Sequence, residues 1–113
     1  MEIDIRDRGE VVVAALKGRL GAGVGDEELR QLIDGLLADQ RKGILLDLSQ
    51  LTSIDSSGVG ELVAGLRVAN ELGAKLKILR GPDRVQHTLR IGQILPLFDI
   101  YDTEEEALEA FEA

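Results

Sequence analysis

Apolar and polar residues alternate along "EIDIR" (residues 2–6), the period of a strand. "DRG" then reads as a turn and "EVVVAALKG" as a more buried strand, so residues 2–18 predict a hairpin. From Asp26 the period changes. Leu29, Leu32, Ile33, Leu36 and Leu37 fall on one face of a helix, with Asp26, Glu27 and Glu28 suited to its first turn and Arg41, Lys42 and Gly43 to its end. "GILLDL" is a short, nearly continuous apolar run, as in a strand covered on both faces; the strand is expected over 44–48, with a loop after it. Val59, Leu62, Val63, Leu66 and Ala69 mark a second helical face, opening near residue 57 and closing near Gly73. "AKLKILR" alternates like a strand. "PDRVQHTLRIG" reads as a short helix with Asp83 at its N-cap and Val85 and Leu89 inward. "FDIY" fits a last edge strand, and "TEEEALEAF" a terminal helix opened by a capping box of Thr103 and Glu106.

The order β-β-α-β-α-β-α-β-α predicts an α/β domain spanning residues 1–113. Strands joined through helices pair in parallel by right-handed crossovers. The expectation is therefore a mixed β-sheet with an N-terminal hairpin and about four α-helices packed against it.

Composition narrows the function. The core must be aliphatic, because Phe98, Tyr101 and Phe111 are the only aromatics. A net charge of −8 argues against nucleic acid and against an anionic membrane surface, both of which need basic patches. Without cysteine there is neither a disulfide framework nor thiol chemistry. No apolar run approaches the roughly 20 residues of a membrane span, and "MEIDIRDRGE" is unlike a secretory signal; a cytoplasmic protein is expected.

The candidate chemistry lies in "TSIDSSGVGELV", residues 52–63, between a strand and a helix. In open α/β sheets, sites favour loops at the carboxyl ends of strands. Asp55, Ser56 or Ser57 are each suited to accept from a first-turn amide as N-cap, and Ser57 is the hydroxyl expected to cap. Gly58 and Gly60 each weaken a helix by about 1 kcal/mol relative to alanine. A cap needs neither, so they are read as room for a partner's backbone beside the serines.

Other chemistries fit less well. "GAGVG" lacks the third glycine of a dinucleotide loop, since Asp26 holds that place and would oppose a pyrophosphate; a flexible loop over 21–25 is expected. A serine hydrolase would need His87, the only histidine, to meet Ser56 or Ser57, and Asp55 stands where a nucleophile elbow has glycine. Asp47 superficially resembles a receiver phosphoacceptor, but "EIDIRDRG" supplies no acidic pair after an apolar first strand. One histidine and scattered acids predict no metal site and no cofactor. "TEEEALEAFE" reads as a solvated helix face.

The same residues carry a family resemblance. "ILLDLSQLTSIDSSGVGELV" resembles the signature of STAS domains of the bacterial anti-sigma factor antagonists, in which a strand leads to apolar-x-D-S-[ST]-G-[apolar]-G at a helix start. The hairpin, the "G-R-L" turn and "FDIYDTEEEAL" extend the likeness over the whole chain. The resemblance implies a STAS-like mixed sheet and a phosphorylation switch. An anti-sigma factor serine kinase would phosphorylate Ser56, the unphosphorylated form would bind that kinase and free the sigma factor, and a PP2C-type serine phosphatase would reset it. Asp55, Ser56, Ser57 and Gly58 would lie at the kinase interface. Where many relatives carry an aspartate or similar residue after the "G-x-L" turn, this chain has Gly21. Related STAS domains also serve as scaffolds or transporter-associated subunits without a sigma pathway.

Overall fold

In the computed structural model, which describes residues 1–112, five strands form one mixed sheet in the order β1-β2-β3-β4-β5. β1 (Glu2–Arg8) and β2 (Val11–Leu20) are the expected antiparallel hairpin, turned at Gly9 with φ 68°. From β2 onward every pairing is parallel: β2 with β3 (Gly43–Ile54), β3 with β4 (Lys75–Leu79), and β4 with the two-residue β5 (Ile100–Tyr101). The crossovers are α1 (Asp26–Ala38), α2 (Ser56–Glu71) and α3 (Asp83–Ile91), and α4 (Glu104–Glu112) ends the described chain. A 3-10 turn over Leu95–Leu97 precedes β5.

The sheet is covered on both faces, which accounts for the continuous apolar run in β3. Ala14, Leu16, Ile44, Leu46, Leu48 and Ile78 meet Leu29, Ile33, Leu62, Ala69, Val85 and Leu89 of α1–α3. Val11, Val13, Leu45 and Leu79 lie under α4, against Ala107, Leu108 and Phe111. Leu29, Ile33 and Leu37 of α1 are buried, at about 1.5–3 kcal/mol each. That outweighs the roughly 1 kcal/mol cost of Gly35 within the same helix.

Three boundaries in this part of the chain differ from expectation. α1 ends at Ala38, before Arg41 and Lys42. Gln40 takes a left-handed φ of 63°, and the amides of Gln40 and Arg41 bond the carbonyls of Leu37 and Leu36. This hydrogen-bonded stop uses backbone where side-chain cations were expected. The Arg41 side chain instead reaches Asp7 at 2.9 Å, and the Lys42 ammonium reaches the Leu72 carbonyl at 3.1 Å. The same stop closes α2, as expected, at Gly73 with φ 74°.

β3 does not end at residue 48 but continues to Ile54. Its second half pairs with β2 alone, because β4 stops opposite Asp47. Register shifts in that stretch turn Leu51 and Ile54 inward despite their spacing of three. α3 is entered through Pro82 rather than capped by Asp83; the buried Gln86 side chain accepts from Gly81 N–H at 2.9 Å instead. Lys77, on the polar side of the "AKLKILR" alternation, is buried under α4. It bonds Asp99 at 2.9 Å, with its ammonium 5.5 Å from the ring centres of Tyr101 and Phe111.

The cap of α4 follows the sequence. Thr103 Oγ1 accepts from Glu106 N–H at 3.1 Å, while the Glu106 carboxylate accepts from the Thr103 hydroxyl at 3.0 Å.

Candidate functional site

The extra length of β3 carries the chain beyond β4 to the rim of the sheet, where it turns directly into α2 at Asp55. Asp55 is extended, with φ −110°, and its amide bonds the Leu20 carbonyl at 3.2 Å. Its carboxylate does two things. Oδ1 accepts from Gly58 N–H at 3.0 Å, which is the N-cap bond of α2. Oδ2 accepts from Ala22 N–H at 3.1 Å, in the loop between β2 and α1. These amides, Gly58 first and then Ala22, hold the Asp55 carboxyl below its ordinary pKa, with a smaller contribution from the Ser57 amide and from Arg19.

Of the three candidate caps, the side chain that caps is therefore Asp55. Ser56 is the first helical residue, one position earlier than the sequence suggested, and it is exposed. Ser57 is half-buried, and its hydroxyl does not cap the helix, contrary to expectation, because the carboxylate already holds the third amide. Among the described residues neither serine hydroxyl has a hydrogen-bond partner.

The two glycines separate. Gly58 is buried, and a β-carbon there would stand 2.7 Å from Ile54 Cγ1 and from the Leu20 carbonyl oxygen. Its missing side chain makes room for the protein's own backbone rather than for a partner. Gly60 is exposed, and a β-carbon there would meet nothing within 4 Å, so open space lies at that position alone.

The loop over 21–25 is a hydrogen-bonded turn rather than a loose one. Gly21 and Val24 exchange amide–carbonyl bonds at 2.8 and 2.9 Å, and Gly23 and Gly25 hold φ values of 70° and 85°. Gly21 is buried against Asp55: a β-carbon would lie 2.8 Å from Asp55 Cγ. By lacking a side chain, Gly21 thus admits the Asp55 carboxylate to the Ala22 amide. In the sequence Gly21 and Asp55 stand apart. The signal that links them is the absence of a side chain at one and an acid at the other, which no local spacing connects.

The competing constellations do not assemble. His87 lies exposed on α3 and bonds neither serine. Asp47 is buried, and its Oδ1 accepts from Ser49 N–H at 2.9 Å. Among the described residues no group of three or more His, Cys, Asp or Glu is arranged to hold a metal ion, and no helix is long and apolar enough to cross a membrane. What the rim offers chemically is the exposed Ser56 hydroxyl at a helix N-terminus, next to an Asp55 carboxylate that is already engaged by the Gly58 and Ala22 amides. Such a hydroxyl accepts a transferred group only when a partner supplies base and donor.

A mixed sheet with three crossover helices on one face, one helix on the other, and an exposed serine where a strand turns into a helix defines a class of small α/β domains. Residues 2–107 match the STAS domain, and the chain belongs to the STAS domain family. It is 25% identical to an anti-sigma F factor antagonist of Paenibacillus polymyxa over 112 residues, covering 99% of this chain and 96% of that protein. The crystal structure of an anti-sigma factor antagonist from Mycobacterium paratuberculosis is similar with a TM-score of 0.88 at 20% identity, over 99% of this chain and 94% of that one. The anti-sigma factor antagonist SpoIIAA in its unphosphorylated form is similar with a TM-score of 0.78 at 23% identity, over 99% of each chain. At these identities the two structures establish the fold.

Proposed function

We propose that this protein is an anti-sigma factor antagonist switched at Ser56. Its unphosphorylated form binds an anti-sigma factor serine kinase and so frees a sigma factor, and phosphorylation of Ser56 weakens that binding. A PP2C-type serine phosphatase restores the binding form. The observation that carries this reading is the Ser56 hydroxyl, exposed and without a hydrogen-bond partner among the described residues, at the first residue of α2, directly after the Asp55 cap. Asp55, Ser56 and Ser57 form the face offered to the kinase, and Gly58 lets the helix start close to the sheet behind them. The full-length likeness to an anti-sigma F factor antagonist supports the reading.

The physics of the switch is local. A phosphate adds about −1.5 to −2 charges at pH 7. At the start of a helix it is tolerated by the amide dipoles, while the neighbouring Asp55 carboxylate repels it. The fold therefore keeps its shape. A close-packed interface does not tolerate an uncompensated charge, which costs about 2–5 kcal/mol, or roughly 30- to several-thousand-fold in affinity.

The test is phosphorylation by a cognate anti-sigma kinase with ATP, read by intact-protein mass spectrometry, followed by a binding titration. One phosphate on Ser56, lost in Ser56→Ala and kept in Ser57→Ala, is expected. Ser56→Ala should still bind the kinase and Ser56→Glu should bind less well. Equal kinase affinity of the wild type and the phosphorylated protein would refute the switch.

A further inference from the structure

β1 is the outer strand of the sheet, and six of its seven residues are exposed. An edge strand presents unpaired backbone amides and carbonyls, which charged side chains usually guard. Here the guarding charges are ordered. Glu2, Asp4, Arg6 and Arg8 share one face by the alternation of the strand, with Ile3, Ile5 and Asp7 on the other. Acids occupy the first half of that face and bases the second.

This order is self-complementary in one register. A second β1 laid antiparallel about Ile5 sets Glu2 opposite Arg8, Asp4 opposite Arg6, Ile3 opposite Asp7, and Ile5 opposite its own copy. The two-fold axis repeats each charge pair. A slip of two residues one way sets Asp4 against Asp4, and the other way sets Arg6 against Arg6. A parallel, in-register copy sets every charge against its like. The Ile5-centred register alone pairs all the charges on that face, and it covers Ile5, which is 54% exposed. Directly opposed unlike charges stabilise paired strands, and like charges destabilise them.

We infer that the β1 edge is a homodimer interface, in which a second copy of this chain pairs antiparallel about Ile5 and joins the two sheets into one. The existing ion pairs leave the charges available. Arg6 and Arg8 hold Glu104, and Lys17 holds Asp4, yet the side chains of Arg6, Arg8 and Asp4 remain 44%, 50% and 53% exposed. A guanidinium has five donors, enough to bond Glu104 on one side and an acid of the second copy on the other.

Sedimentation equilibrium of the whole chain, up to about 1 mM because a contact of one strand pair is small, should show a monomer–dimer equilibrium. It should weaken in about 1 M salt, where the screening length falls to about 3 Å. Glu2→Arg/Asp4→Arg and Arg6→Glu/Arg8→Glu should each associate at least about tenfold more weakly, since every cross-strand pair becomes repulsive. An equimolar mixture of the two variants should restore association. Circular dichroism checks that both fold. In the wild type, hydrogen exchange should show concentration-dependent protection of amides within Ile3–Asp7. The interface is overturned if the wild type stays monomeric throughout, or if the mixture fails to associate. It is equally overturned by a dimer that survives both charge variants, which would place the contact elsewhere, such as the exposed Ile91 and Leu97.

Discussion

Alanine at Gly58, Gly60 and Gly65, three glycines of one helix, should give three different outcomes. In isolation each substitution favours the helix by about 1 kcal/mol. At Gly60 nothing lies within 4 Å of the added methyl, so the gain survives. The protein should be stabilised by about 0.4–1 kcal/mol. At Gly58 the methyl meets the Leu20 carbonyl oxygen at 2.7 Å and Leu20 Cγ at 2.9 Å, besides Ile54. A backbone carbonyl in the central sheet cannot rotate aside. The steric cost then lies near the top of the roughly 1–3 kcal/mol range for overpacking, leaving a net loss of about 1–2 kcal/mol. At Gly65 the obstacle is Ile33 Cδ1 at 2.6 Å, the end of a side chain that can change rotamer. Gain and cost should nearly cancel there, to within about 1 kcal/mol. At about 4 °C per kcal/mol for a chain of this length, calorimetry should find Gly60→Ala melting about 2–4 °C higher and Gly58→Ala about 4–8 °C lower. Urea midpoints should follow the same order. A Gly58→Ala protein as stable as the wild type would refute the reasoning that this glycine serves the protein's own packing. Kinase binding separates the remaining role: if a partner uses the space at Gly60, Gly60→Ala binds less well although it is more stable.

Three further outcomes are expected. The depressed Asp55 carboxyl contributes stability that is complete above its unfolded pKa of about 3.9 and is lost as the pH falls through the lower folded value; Asp55→Ala should melt several degrees below the wild type at pH 7, and the gap should narrow below about pH 4 in thermal melts, whereas a constant gap would mean the carboxylate charge is not what the amides favour. Lys77→Ala removes the Asp99 bond and the contacts with the Tyr101 and Phe111 rings, so chemical denaturation should show a loss of about 1–2 kcal/mol, and a neutral result would mean that α4 packs without the ammonium. Ser56→Ala and Ser56→Glu should both keep the wild-type circular dichroism spectrum, with Ser56→Glu melting within a few degrees of wild type; an unfolded Ser56→Glu protein would mean that the charge acts on the fold rather than on a partner.

The element order was legible because it rests on local periods. Alternation in "EIDIR", the face of Leu29, Ile33 and Leu37, and the apolar run "GILLDL" each reflect the geometry of a single strand or helix. The switch from loop chemistry to helical period at Asp55–Gly58 was legible for the same reason, and it placed the exposed serine to within one helical residue. Chain neighbours alone could not say that Gly21 makes room for Asp55, that Gly58 is filled by Leu20 and Ile54, or that Lys77 lies beneath α4 between two rings. Apart from the contact of Gly58 with Ile54, four positions away, each of these depends on residues more than twenty positions apart, brought together by the parallel crossovers. The extension of β3 to Ile54 was hidden likewise, because the stretch 49–53, polar but for Leu51, reads as loop until β2 is seen beside it. Sequence determined which segments are strands and helices, since one turn of backbone decides that; tertiary structure decided what each glycine and charge is for, since their partners come from other segments.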